Sequence, residues 1–407
     1  MRTHGWLVSY GLLGLTQNGL LPVLLPLVAH SSTRAGVTYA VFSALGLAAP
    51  FLGTWADRNG RHRDLLIWGT IGAGLLLLAF DAAGASLRIV LVAGAGLGTM
   101  AATTAGNVLA IQGAAESEWD GRVARLQRFI SGGQVLGLVG AGLLAHSRPG
   151  DGFVFAGLAL LVAGGLAFAS APAGAARDPL HKPEPRPMVG GDAGATTSHR
   201  GHRVDWHAIA AYLKVINRPL RRFLLVWLVA YPAMNGFATI FPLAMVRQFG
   251  LDPILPSNAY AIGVGLSLVL YAPAGAITHR IGGGRMLLAG LAARLVLLIA
   301  LVPLGLWHDG WTATLILAGF ALIQFVWPML SVATNSLAVR LAPDARGEAV
   351  GLFNAATSLA ASVGSLLAGV VFGVAGFAAL AALTCIAVAA AMVLTLLWLP
   401  DWAEHHA

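Results

Sequence analysis

Apolar runs long enough to cross a bilayer recur along the whole chain, and this recurrence limits what the chain can fold into. A span needs about 20 apolar residues to cover roughly 30 Å of hydrocarbon at a rise of about 1.5 Å per residue. Reading between charged and Pro/Gly-rich breaks gives twelve runs: 6–29, 36–55, 64–81, 88–111, 124–146, 153–172, 220–246, 257–278, 285–306, 311–338, 347–372 and 374–399. A backbone in hydrocarbon must satisfy its own hydrogen bonds, and the alternation of a β-barrel is absent, so the runs are read as helices. Only 10% of the residues are charged, which is too few to cover a water-facing particle and argues against a cytosolic enzyme. The first run is followed at once by a second, so it is read as a retained span rather than a cleaved leader. The single Cys385 cannot form an intrachain disulfide.

Charge placement tests the count. With the N-terminus inside, 20 of the 25 Lys and Arg residues fall on inner connections, Arg34, Arg88, Arg148 and Arg247 fall outside, and Arg294 lies within a span. The positive-inside rule therefore predicts a multi-pass protein of the plasma (inner) membrane with both termini cytoplasmic. It also accounts for the net charge of +8 through attraction to anionic lipid, which removes nucleic acid as the explanation.

The longest polar stretch, about 173–219, divides the chain into a first set of six spans (1–172) and a second (220–407). Its middle is rich in Pro, Gly and charge and reads as a flexible cytoplasmic linker. Trp206, Ile209, Leu213 and Ile216 recur at helical spacing near its end, as in an amphipathic helix on the inner leaflet. His199 and His202 have an H-x-x-H spacing without a third ligand, so no metal site is assigned. The halves repeat one another. Gly53, Arg58, Gly60 and Arg63 recur as Gly275, Arg280, Gly282 and Arg285 at an offset of 222, and Asp120, Arg122, Phe129, Val139, Gly140 and Leu143 recur as Asp344, Arg346, Phe353, Val363, Gly364 and Leu367 at 224. Duplicated six-helix halves are the mark of transporters that rock two bundles about a central site.

The loop GTWADRNGRHRD, residues 53–64, resembles the signature between helices two and three of the major facilitator superfamily, through Gly53, Asp57, Arg58, Gly60, Arg61 and, displaced by one, Arg63. The resemblance implies an all-α membrane fold of twelve helices in two pseudo-symmetric bundles. It also implies a secondary transporter without a cofactor, closest in style to the drug efflux members. By the same resemblance Asp57 latches onto the start of helix eleven near Arg346, and Gly53, Arg58, Gly60, Arg61, Arg63 and Arg280 belong to this conformational gate. His279 replaces the aspartate in the second copy, which weakens that latch.

No Asp or Glu stands in the middle of a span, so the usual buried proton carrier is missing and proton antiport follows from family frequency alone. Substrate binding is instead expected at uncharged polar and aromatic residues: Gln17 and Asn18 in helix one, Gln134 in helix five, Tyr231 and Asn235 in helix seven, Gln324 and Trp327 in helix ten, and Asn354 in helix eleven. Interhelical bonding is the competing role for the amides. Arg294 sits about ten residues into helix nine, where insertion of an arginine costs about 2.5–3.5 kcal/mol. Substrate contact, snorkelling and packing against carbonyls all remain open for it. The partners expected are a small-molecule substrate, membrane lipid and a coupled proton, for a chain read as a monomer. Efflux of a small, moderately apolar molecule is the preferred function, with uptake of a neutral or anionic nutrient as the alternative. A polytopic enzyme or sensor is remote, because the motif loop would then have no role.

Overall fold

The computed structural model describes residues 5–29, 31–48, 51–52, 55–56, 59–111, 116–172, 217–307, 309–341 and 346–403. Gly53, Asp57, Arg58, the linker histidines and the expected amphipathic helix lie outside the described residues. Among those described, every regular element is a helix. The order is α1 (Gly5–Leu27), α2 (Ser32–Ala44, prolonged by a 3-10 turn Leu45–Ala48), α3 (His62–Leu78), α4 (Ala85–Ile111), α5 (Glu116–Ser147) and α6 (Pro149–Ser170). The second half contributes α7 (Arg218–Phe249), α8 (Ile254–Ile281), α9 (Gly283–Leu304), α10 (Gly310–Phe325 and Trp327–Arg340), α11 (346–375) and α12 (377–403).

Each of the twelve apolar runs coincides with one of these helices. Nine helical stretches among the described residues are long and apolar enough to cross a membrane by themselves. Two corrections explain the smaller number. The stretch Gly351–Trp398 counts 48 residues, more than twice the length that one crossing requires. It is two crossings joined at Gly376, whose φ of 75° belongs to glycine. The kink releases the N–H of Phe377, which donates to Gln248 Oε1 at 2.8 Å. Helices α2 and α3 are the other two, whose described stretches, Ser32–Ala44 with Leu45–Ala48 and His62–Leu78, are too short to cross by themselves.

The connections α1–α2, α7–α8 and α11–α12 share one end of the bundle, here the distal end; the arginine-rich connections lie at the other, the basic end. Caps define several termini. Asn217 accepts from Leu220 N at 2.9 Å to start α7, and Asp309 accepts from Thr312 N at 2.7 Å to start α10. The duplication seen in the sequence is also present in the backbone. Gly60 and Gly282, the repeat-related glycines, both have positive φ, 64° and 87°.

Two hydrophobic clusters form, one almost entirely from the first half and one almost entirely from the second. Lipid tails are as apolar as leucine, so association within each half depends on close packing rather than on transfer from water. Glycines supply it: a Cβ on Gly14 would lie 2.1 Å from the Ile130 carbonyl of α5, and one on Gly236 would lie 2.3 Å from the Gly364 carbonyl of α11. In each half the first helix therefore packs on the fifth through a glycine. The exterior is correspondingly apolar, with Trp68, Val269, Trp311 and Val374 among its exposed residues.

Between described residues, three polar contacts join the halves. Arg247 Nη2 donates to the Ala29 carbonyl at 2.6 Å, His146 Nδ1 lies 2.5 Å from Asp252, and Ser362 Oγ donates to the Ala40 carbonyl at 2.8 Å. All three fall in the distal half of the helices. There α2 and α11 approach so closely that Gly36 meets the Ser365 carbonyl and Gly369 meets that of Ser32.

Candidate functional site

Two helices, one from each half, depart from regular helical geometry about halfway along their length. In α1, residues Leu15–Leu20 adopt a π-helix, and this stretch carries Gln17 and Asn18. Such bulges recur at functional sites because they free a backbone group and rotate side chains off the regular stripe. Gln17 Oε1 accepts from Thr103 Oγ1 of α4 at 3.2 Å. Asn18 is half-buried and, among the described residues, has no hydrogen-bond partner. Gln134 of α5 is also half-buried, and its carbonyl lies against Gly19, which brings α5 alongside the bulge.

The second interruption is in α10, which breaks at Val326. Pro328 is the cause: it has no N–H for the Gln324 carbonyl, and its ring collides with that turn. The break separates Gln324, which is buried against Gly263 of α8, from Trp327, which opens the second segment. Gln324 and Trp327 were expected on one continuous helix ten; Pro328 was the signal that it is interrupted.

At the end of the first α10 segment, Arg294 of α9 supplies a donor to one of the last carbonyls. Its Nη2 donates to the Ile323 carbonyl at 3.1 Å, at the negative pole of that half-helix. The guanidinium lies over the Trp327 ring, 5.3 Å from its centroid. Arg294 is 4% exposed, so it does not snorkel. Of the roles left open by the sequence, packing against a carbonyl is present, but it uses only part of the group: Nε is buried without a partner.

Aromatic side chains continue the wall. Tyr231 stacks on Trp227 with centroids 4.7 Å apart and tilts toward Trp327 at 6.1 Å. Trp227 is fixed by donating from Nε1 to Thr357 Oγ1 of α11 at 2.9 Å. Tyr260 of α8 packs against both hydrophobic clusters, and Tyr39 of α2 packs against that of the first half. The wall is therefore built from both halves.

The other expected residues are placed as follows. Asn235 Nδ2 reaches α11, donating to the Ala361 carbonyl and to Ser365 Oγ, both at 3.3 Å, so its amide ties helices together. Asn354 is exposed on the α11 stripe whose next members, Ser358 and Ser362, face α2. At the basic end Arg61 pairs with Asp64 at 2.6 Å and lies over Trp55, while Arg63 Nη2 donates to the Phe168 carbonyl at 2.7 Å, tying α3 to α6. Arg280 is exposed at the end of α8, and Arg346 begins α11.

Comparison with known proteins decides the family. The model of the Major Facilitator Superfamily matches residues 6–346. The chain belongs to the major facilitator superfamily. Among solved structures, this superfamily member is similar to a POT family transporter in complex with a thioalcohol-conjugated peptide, at 12% identity and a TM-score of 0.74, covering 98% of this chain and 96% of that one. It is similar to a mutant of the nucleoside transporter NupG at 11% identity and a TM-score of 0.71, covering 97% and 99%. A bacterial homologue of the iron transporter ferroportin, in its inward-facing state, gives 17% identity and a TM-score of 0.66 over 97% and 96%. At these identities the likeness shows the fold alone. A search of curated protein sequences returned no significant match. The member is thus an integral membrane protein that serves transport.

Sequence reasoning underrated three residues of this superfamily member's site. Arg294 was left with open roles because position along a helix does not say which neighbours it meets. Tyr39 and Tyr260 carried no signal beyond being tyrosines in spans.

Proposed function

We propose that this protein is a secondary carrier working by alternating access, which exports a small, moderately apolar organic molecule bound between its halves. The observation that carries the reading is the pairing of the two interrupted helices with an aromatic wall drawn from both halves. Broken helices near the midplane supply polar backbone groups to a substrate where intact helices cannot. The wall offers rings and amides rather than carboxylates, which suits an apolar body more than a cation.

In this reading residues 1–172 and 220–407 are the two rocking bodies. Taking the basic end as cytoplasmic by the positive-inside rule, the polar contacts joining the halves lie on the outer side, so this conformation is shut outward. Helix packing through small residues lets such contacts part without melting a helix. Asp57 would latch the inner side in the opposite conformation by engaging the start of α11.

Flux in proteoliposomes under imposed pH and voltage gradients tests the proposal over a panel of drugs, sugars and organic acids. Uptake into inside-out vesicles is expected for apolar aromatic compounds. Sealed vesicles of folded protein that move none of the panel would count against it. Asp57→Asn is expected to alter access to the two faces; unchanged flux and accessibility would remove the latch.

A further inference from the structure

Arg294 is a cation buried inside an apolar bundle with no counter-ion among the described residues. The side-chain ion pairs found among the described residues, Arg61–Asp64, Arg88–Asp81 and His146–Asp252, do not include it. The sequence explains why, since no Asp or Glu stands mid-span to pair with it. A guanidinium presents five N–H donors in a planar fork that matches the two oxygens of a carboxylate. Here one carbonyl takes a bond from Nη2, one indole ring covers a face, and Nε points at no acceptor. An intramembrane charge left in this condition weakens the fold, and such residues are retained mainly where a ligand or ion uses them.

Its surroundings place that unused capacity at the site rather than at the lipid. Arg294 lies over the Trp327 ring, which in turn tilts against Tyr231, and Tyr260 of α8 packs against the cores of both halves. Tyr231 and Trp327 offer flat apolar surface beside the charge.

We propose that Arg294 is the anion-recognition residue of this carrier, and that its substrate is an organic anion whose acidic group meets the guanidinium while its apolar body lies on Tyr231 and Trp327. This rests on the carrier reading above and narrows its substrate class. The competing role is purely structural: Arg294 would tie α9 to the break in α10 and contact no substrate.

The test compares a set of aromatic and aliphatic monocarboxylates with their own carboxamides, using the full-length protein in detergent and equilibrium binding. The wild type should prefer acid over amide at least about tenfold, and Arg294→Gln should weaken acid binding by about 10- to 100-fold while leaving the amides unchanged. Arg294→Lys keeps the charge but loses the fork, and should fall between. Arg294→Met should raise the Tm of the ligand-free protein, because it removes an unpaired buried charge; a structural tie would lower it. No preference for acids in the wild type, acid binding unchanged in Arg294→Gln, or a lowered Tm in Arg294→Met would each overturn the proposal. If Arg294→Gln does not fold, the wild-type preference and Arg294→Lys still decide. Flux separates the two readings: amides carried as well as acids would leave the carrier standing without the anion site. Acid binding lost with Arg294 but unaccompanied by flux would do the reverse.

Discussion

His146 Nδ1 and the Asp252 carboxylate lie 2.5 Å apart and join the distal end of α5 to the start of α8, one residue from each half of the chain. Both are partly exposed, so the pair contributes at most about 1 kcal/mol to folding. In a two-state carrier that is enough to bias which face is open, since 1.4 kcal/mol is about tenfold in a population. Asp252 Oδ1 also accepts from Ile254 N at 2.9 Å, and an amide can keep that bond. Asp252→Asn therefore isolates the charge. Spin-label distances between the distal ends of α5 and α8 should lengthen in this variant with little change in Tm. An unchanged distance distribution would deny the pair a role in closure.

Two glycines of α11 should respond differently to the same substitution. A Cβ on Gly364 would lie 1.9 Å from the Pro232 carbonyl, inside the second half, whereas one on Gly369 would lie 2.5 Å from the Ser32 carbonyl, across the halves. Gly364→Ala must spread α7 from α11 and is expected to lose about 1–3 kcal/mol of stability, seen as a lower Tm and folded yield. Gly369→Ala is expected to keep its yield and shift the protein toward distal opening, read by labelling of an Asn18→Cys variant. Equal losses of folded yield would refute the distinction.

Asn235 and Asn18 looked alike in the sequence and differ in their bonding. Asn235→Ala removes two interhelical hydrogen bonds and should lose about 1 kcal/mol of stability. Asn18→Ala removes no bond among the described residues, so stability should hold while binding of a transported compound weakens. Thermal denaturation and binding measured on both variants check the contrast, which fails if Asn18→Ala is the less stable of the two.

Asp309 caps α10, and its hydrogen bonds with Thr312 hold its carboxyl below the usual carboxylate range. A depressed folded value stabilises the protein above the unfolded carboxylate pKa, and that contribution disappears as pH falls through the folded value. Asp309→Asn keeps an acceptor for the cap but has no charge to titrate. The Tm of the wild type should therefore fall more steeply with acid than that of the variant; parallel pH profiles would show that the cap does not matter.

The membrane class, the twelve helices and the superfamily were legible in the linear sequence, because each depends on properties local to a segment. A run of apolar residues has no other stable form in hydrocarbon, and the motif at 53–64 and the 222-residue offset are read along the chain. Even the break in α10 was written in one residue, Pro328.

The chemistry of the centre was decided by tertiary structure. Whether an amide binds a neighbour depends on which helix lies opposite, and so Asn235 became a tie to α11 while Asn18 has no partner among the described residues. Arg294 shows the same division. Its sequence position established that a charge lies within a span, but only the packing of α9 against the broken α10 gave that charge its carbonyl, its ring and its unused donor. A charge in low dielectric takes its energy and its use from the groups a few ångströms away, and those come from helices distant in sequence.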